Sequence, residues 1–262
     1  MKKIFSFYIL ISSLVIYAQT DYSASWEDFY SYNNVKDFTK VDTIIYALTD
    51  NAIFTYDILS GEINKFSSVQ GLSGEVTSAI FYNETFNRVI IGYENGLVEV
   101  IDSDGAITIS SDIVNFNQSG EKSINHISQF NNKLYLSTPF AVVVYDIENL
   151  EFGDTYFIGN NSSSIKINET IISNDIIYAV TEVGIFKADI TSNLLIDYNN
   201  WEQLFVGRNF KNIAFLKSLY VTEGFKLFAF DGTNFTNEIN FSEEIKSLKP
   251  SNEHLIVSLK KK

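Results

Sequence analysis

The stretch Ile177-Tyr178-Ala179-Val180-Thr181, followed by a turn at Gly184 and then Ile185-Phe186-Lys187-Ala188-Asp189, reads as two short strands joined by a hairpin and closed by a carboxylate. Glycine accepts the positive φ that a tight hairpin demands, and alternating apolar positions mark a strand with two different faces. The same pattern runs from Ile45-Tyr46-Ala47-Leu48-Thr49 to Asp57 and from Val89-Ile90-Ile91-Gly92-Tyr93 to Asp102. It returns from Leu134-Tyr135-Leu136-Ser137-Thr138 to Asp146 and from Leu219-Tyr220-Val221-Thr222 to Asp231. The closing Asp residues are spaced by 45, 44, 43 and 42 positions, and a sixth copy opens at His254-Leu255-Ile256-Val257-Ser258. A period of 40 to 50 residues with four short strands per copy is the signature of propeller blades. A β-helix has a much shorter coil, and a sandwich has no constant period. The fold class is therefore all-β: a β-propeller of four-stranded blades of about 43 residues, with five full blades and a partial sixth.

Around each quoted pair lie two further strands. The innermost precedes it, as in Thr77 to Tyr82 and Ile124 to Phe130, and a weaker outer strand follows, as in Glu62 to Phe66 or Asp154 to Ile158. Each recurring Asp sits where the third strand gives way to a turn. There a short acceptor caps the backbone two residues on, a simpler role than a ring of carboxylates around a pore. Gly71-Leu72-Ser73-Gly74 lacks the Lys and helix of a phosphate loop and reads as the connection between blades one and two. Propellers remove their sheet edges by closing, and Trp26-Glu27-Asp28-Phe29-Tyr30, with its alternating aromatics, reads as the closing strand. The sixth copy supplies two strands before Lys260-Lys261-Lys262. The expectation is thus an N-terminal propeller domain over 19–262, truncated at its C-terminal end, an open arc with unpaired edges and poor solubility.

Met1-Lys2-Lys3, the apolar run Ile4 to Tyr17 and the small Ala18 make up a secretory signal peptide over 1–18, too short to span a bilayer. The chain is expected to be exported, to the cell surface and outer membrane or to the periplasm. Many β-branched and aromatic residues with only 2 Pro agree with strands throughout. A net charge of −13 repels phosphate backbones, which argues against a nucleic-acid partner. With no cysteine there is no disulfide, thiolate metal site or lipobox.

Catalytic chemistry finds little to build on. His126 and His254 are the only histidines, they fall in different repeats, and a transition metal would need carboxylates for most of its ligands. His126, in an inner strand, reads as a satisfied, partly buried histidine, and Glu243-Glu244 as solvated turn charges. The sequence assigns no catalytic, cofactor-binding or metal residue, no cofactor and no enzyme activity, and it leaves ligand-binding residues unknown. Tyr30, Tyr32, Tyr93, Phe140 and Trp201 fall near strand ends and loops. They form either a face for a sugar or peptide or the packing between blades, and an aromatic content of 15% favours packing.

Trp26 to Val35, Val69-Gln70-Gly71-Leu72-Ser73-Gly74, Gly92-Tyr93-Glu94-Asn95-Gly96 and Ile124-Asn125-His126-Ile127 carry a family resemblance. So do Gly184-Ile185-Phe186-Lys187-Ala188-Asp189 and Asn200-Trp201-Glu202-Gln203-Leu204. In this order and spacing the chain resembles the N-terminal β-propeller of PorZ, a component of the type IX secretion system, over nearly all of its length. The resemblance implies a non-catalytic surface protein with two propellers and a sorting domain, of which this chain shows part of the first propeller. It implies an attachment complex with a sortase, an outer-membrane shuttle protein and an anchor. It also implies that anionic lipopolysaccharide is bound and passed to the sortase, which joins it to cargo. No binding residue carries over. An alternative is the periplasmic sensor propeller of a hybrid two-component regulator that recognises polysaccharide fragments. A third reading, a polysaccharide hydrolase or lyase, needs paired carboxylates at a pore mouth.

Overall fold

A computed structural model of the chain describes residues 27–251 and 253–260. The signal peptide expected over 1–18 lies outside them. Five antiparallel sheets of four strands follow one another, each a simple meander in chain order, with a two-stranded sixth. Blade 1 is β1 (Asp37–Val41), β2 (Ile44–Leu48), β3 (Ile53–Asp57) and β4 (Ile63–Phe66). Blade 2 is β5 (Thr77–Asn83), β6 (Arg88–Tyr93), β7 (Val98–Ile101) and β8 (Ile107–Ser110). Blade 3 is β9 (His126–Phe130), β10 (Lys133–Ser137), β11 (Val142–Asp146) and β12 (Glu151–Tyr156). Blade 4 is β13 (Ile167–Ser173), β14 (Ile176–Thr181), β15 (Gly184–Asp189) and β16 (Glu202–Leu204). Blade 5 is β17 (Ile213–Leu216), β18 (Ser218–Glu223), β19 (Lys226–Phe230) and β20 (Phe235–Asn240). The sixth sheet pairs β21 (Ile245–Ser251) with β22 (His254–Leu259). Among the described residues no helix is long and apolar enough to cross a membrane.

The core lies between blades, because successive side chains of a strand leave opposite faces of its sheet. In β10, Leu134 and Leu136 pack towards Ile90 and Val98 of blade 2, while Tyr135 packs towards Ile177 and Phe186 of blade 4. In β14, Ile177 and Ala179 face blade 3, and Tyr178 and Val180 face Leu219 and Val221 of blade 5. Both faces of a middle strand are therefore buried, which is why each quoted strand is an almost unbroken apolar run. The outer strand β4 is largely exposed and accordingly polar.

The repeated Thr closes each hairpin. Thr49, Thr138 and Thr181 donate from Oγ1 to Ala52 O, Ala141 O and Gly184 O, each at 2.8 Å. Each blade is also bonded to its predecessor through the backbone: Ile124 N donates to Tyr93 O (3.1 Å), Ile167 N to Thr138 O (3.0 Å) and Phe210 N to Thr181 O (2.9 Å). Side chains at the inner-strand starts add to these links. Lys36 Nζ donates to Thr77 O (2.9 Å), Asn125 Nδ2 to Ile167 O (2.7 Å) and Asn168 Nδ2 to Phe210 O (2.6 Å), always one blade onward.

Four of the five closing Asp residues cap turns as read. Asp57 Oδ1 accepts from Leu59 N (2.7 Å), Asp146 Oδ1 from Glu148 N and Asn149 N (2.9 Å each), Asp189 Oδ1 from Thr191 N (2.9 Å) and Asp231 Oδ1 from Asn234 N (2.7 Å). Hydrogen bonds to the ionised form hold the carboxyls of Asp146, Asp189 and Asp231 below the usual range. Asp102 differs: it takes Arg88 Nε at 2.6 Å, and Arg88 in turn donates to Ile147 O of blade 3. The turn in blade 2 is capped instead by Asp104, whose Oδ1 accepts from Ala106 N at 2.9 Å.

Three strand expectations shift. The outer strand of blade 3 is Glu151–Tyr156 rather than Asp154 to Ile158, and the inner strand begins at His126 rather than Ile124. Ile124 and Asn125 instead form the approach to that strand, bonded to Tyr93 O and Ser137 O. Of the expected closing strand, Trp26 lies outside the described residues and Glu27 to Tyr30 are not extended into any sheet. Asp28 accepts from Tyr32 Oη (2.9 Å), and Tyr32 packs edge-on against Phe54 with Lys65 over its ring, so this segment lies against blade 1. Local side-chain bonds replace ladder bonds there.

Candidate functional site: the central channel

The inner strands β1, β5, β9, β13, β17 and β21 pack side by side in chain order around a central cavity of about 780 Å³. Its lining comes mainly from the starts of these strands and the residues just before them, so it belongs to one end of the propeller. Among the described residues Ile245 is the one apolar residue on this lining, and no Phe, Tyr or Trp is on it.

Four ionisable groups from four blades meet here. Asp37 (β1) and Lys249 (β21) form an ion pair at 2.7 Å. Glu169 (β13) accepts from Asn212 Nδ2 and from Ile213 N, both at 2.8 Å. His126 (β9) completes the set. Burial pushes the Glu169 carboxyl up to about 7, against the pull of its two hydrogen bonds and the charge of Lys249. Burial, with Lys249 adding to it, pushes the His126 imidazole down to about 3, so it is neutral at physiological pH. His126 is not satisfied as the sequence led one to expect: its Nδ1 is out of solvent with no hydrogen-bond partner among the described residues, as is Ser78 Oγ on β5.

The wider lining is rich in lysine. Lys36, Lys166, Lys211, Lys246, Lys249 and Lys260 account for six of the 19 basic residues of an acidic chain. Most pair with carboxylates on the same end. Lys36 reaches Asp50 (3.3 Å) and Glu94 (3.4 Å), and Lys166 and Lys211 share Glu182 (3.7 and 3.5 Å). Glu244, read from the sequence as a solvated turn charge, is half-buried and pairs with Lys260 at 3.1 Å.

The aromatic residues lie elsewhere. Tyr93, Phe140 and Trp201 are buried between blades, and Tyr30 and Tyr32 are half-buried against blade 1, so packing accounts for them. Sequence reasoning missed Asp37, Glu169 and Lys249. The signal was present in the repeat itself. Asp37, His126 and Glu169 pair with Leu48, Ser137 and Val180, the residues just before the hairpin Thr, and at that register blade 2 carries Ala79 and blade 5 Ile213.

The two shifted groups act oppositely on stability. Glu169 titrates higher when folded, so its contribution is complete below about pH 4.5 and is lost as pH rises through about 7. His126 titrates lower when folded, so its contribution is present above about 6.5 and is lost as pH falls towards 3. Between pH 6.5 and 8 only Glu169 acts. Glu169→Gln is therefore expected to flatten the decline in melting temperature across that window. The gain at pH 8 should be roughly 1–2 kcal/mol, less than full linkage because channel water screens the charge. Melts at pH 6.5 and pH 8 of both proteins check this.

The model of the type IX secretion PorZ N-terminal β-propeller domain matches residues 45–202. The chain belongs to the PorZ N-terminal β-propeller family. PorZ of Porphyromonas gingivalis, solved as a bacterial surface component of the type IX secretion system, superposes with a TM-score of 0.64 at 16% identity, covering 85% of this chain. The extracellular domain assigned to a hybrid two component system of B. thetaiotaomicron, BT4673, gives 0.68 at 16% identity over 89% of the chain. BamB of Moraxella catarrhalis gives 0.53 at 13% identity over 85% of the chain and 66% of BamB. At such identities the likeness is one of fold. The chain spans about a third of the PorZ and BT4673 chains, 35% and 33%. Comparison with curated proteins gave no match.

Proposed function

We propose that this propeller is a non-catalytic accessory of type IX secretion, exported to the cell surface, which holds anionic lipopolysaccharide and supports the sortase that attaches it to cargo. Membership of the PorZ family over blades 1 to 4 is the observation that carries the reading. The mouth of the channel agrees with it, since its six lysines stand against five carboxylates and leave it close to balanced where the chain as a whole is strongly negative. A rigid stack of blades presenting loops and strand ends at one opening suits recognition rather than turnover. Sortase, shuttle and anchor proteins are the partners this reading brings.

The test is capture. Immobilised full chain should retain purified anionic lipopolysaccharide in low salt and release it as salt rises. The cell's own type IX sortase should copurify with the protein from surface extracts. Retention of neither overturns the reading. A second reading, the sensor propeller of a two-component regulator, draws on the fold likeness to the BT4673 extracellular domain. It predicts binding of soluble polysaccharide fragments with no retention of lipopolysaccharide or sortase.

A further inference from the structure

We propose that the inner part of the channel, where Asp37, His126, Glu169 and Lys249 converge, binds a single anionic sugar unit: a hydroxylated ring bearing one carboxylate or phosphate. The proposal deepens the reading of this propeller as a glycan-holding surface, and rests on it for the class of molecule presented.

The first support is internal to the repeat. Blades 2 and 5 carry Ala79 and Ile213 where blades 1, 3 and 4 carry Asp37, His126 and Glu169, so this position makes a sound blade without an ionisable side chain. Ionisable groups drawn out of bulk water cost free energy unless they are paired. Three of them, joined by Lys249 from β21, are concentrated in one space. The fold does not ask for this arrangement, whereas a ligand does.

The second support is incomplete satisfaction. Ser78 Oγ and His126 Nδ1 have neither solvent nor a partner among the described residues, and polar groups in that state are rare enough to mark a site. The third is the lining. With no Phe, Tyr or Trp on it among the described residues, the channel offers a neutral sugar no ring to stack on beyond the His126 imidazole, and recognition falls mainly to hydrogen bonds and charge. The fourth is the approach. Lys36, Lys166 and Lys211 are held by partly exposed carboxylates at 3.3 to 3.7 Å, pairs of small net worth that an incoming anion displaces at little cost. Lys246 is exposed, with no salt bridge among the described residues. At about 780 Å³ the cavity is within the usual span of small-molecule sites. In this arrangement Lys249 and the lysines of the mouth take the anionic group. Asp37 accepts from ring hydroxyls, and Glu169, which changes protonation near neutrality, accepts from them or donates to them.

The experiment titrates the full chain with glucuronate, glucose 6-phosphate, glucose and inorganic phosphate, following heat of binding. Glucuronate or glucose 6-phosphate should bind at least tenfold more tightly than glucose or phosphate. Lys249→Met and Glu169→Gln should each weaken that binding about tenfold while circular dichroism shows the fold retained. If Lys249→Met fails to fold, Lys211→Met, which leaves the Asp37 ion pair in place, should weaken binding severalfold. Equal binding of phosphate and glucose 6-phosphate, of glucose and glucuronate, or no binding at millimolar concentration overturns the site. So does binding that Glu169→Gln and a folded lysine variant leave unchanged. Lipopolysaccharide capture separates the two levels. If it is retained while none of the sugars binds, this site fails and the secretion reading stands. If sugars bind in the channel and neither lipopolysaccharide nor sortase is retained, the site stands with a free sugar as its ligand, and the secretion reading falls.

Discussion

Gly92→Ala will destabilise the propeller by about 2–3 kcal/mol, at the upper end of what overpacking a core costs. A Cβ on Gly92 would lie 2.5 Å from Ile124 Cβ and 2.7 Å from its Cγ2. Those atoms are fixed to the backbone of the segment leading into blade 3, and Ile124 is fully buried. No rotamer change relieves a contact with a Cβ, so the two blades must separate, and the backbone bond from Ile124 N to Tyr93 O lengthens with them. The melting temperature should fall by roughly 5–10 °C for a domain of this size. Adding Ile124→Gly, which takes that Cβ away, tests the cause. Alone it removes core contacts and costs at least roughly 2–5 kcal/mol, but with Gly92→Ala it makes room for the new methyl. The double variant should therefore be more stable than the sum of the singles by at least about 1 kcal/mol. A melting temperature for Gly92→Ala within a degree of the parent contradicts the argument.

Glu99→Ala is expected to cost about 3 kcal/mol. Glu99 is fully buried in β7, where its carboxylate accepts from Ser73 N at 2.9 Å and from the Tyr93 hydroxyl. Burial and the bond to Glu99 push the Tyr93 phenol far above its ordinary range. Truncation strands the Tyr93 hydroxyl out of solvent, at roughly 1–3 kcal/mol for an unsatisfied group, and leaves a cavity in its place. It also frees the Gly71-Leu72-Ser73-Gly74 connection, whose Leu72 is buried against blade 2. Glu99→Gln keeps one acceptor and should lose about half as much. Chemical denaturation of the three proteins checks both the size and the order, and protease cleavage within 71–74 should rise in the alanine variant first.

Both variants fall in blade 2, the blade that departs most from the repeat. Where other blades read Leu48-Thr49, Ser137-Thr138 or Val180-Thr181, it reads Gly92-Tyr93, and its closing Asp102 is bound to Arg88 instead of capping a turn. Each departure is answered elsewhere: Gly92 by Ile124, Tyr93 by Glu99, Asp102 by Arg88 and Asp104. Exceptions of this kind look like noise in a repeat alignment until the compensating residue is seen.

What the sequence alone determined is what repeats. Blade number, strand order, the hairpin Thr, the turn-capping Asp and the apolar middle strands recur every 42 to 45 residues, because each blade must solve the same local problem with its own residues. Periodicity reports local chemistry faithfully. The burial of Tyr93, Phe140 and Trp201 between blades was also the reading favoured by composition. What only the tertiary structure decided is what depends on neighbours that the period does not name. The path of Glu27 to Tyr30 was set by Phe54, Ser68 and Lys65 of blade 1 rather than by a partner strand. The channel was decided in the same way. Asp37, His126, Glu169 and Lys249 follow one another at intervals of 43 to 89 positions along the chain, and each alone is an ordinary polar residue at a strand. They form a site because the row of inner strands brings blades 1, 3, 4 and 6 to one axis, and that convergence is a property of the packing between sheets, to which no single repeat testifies.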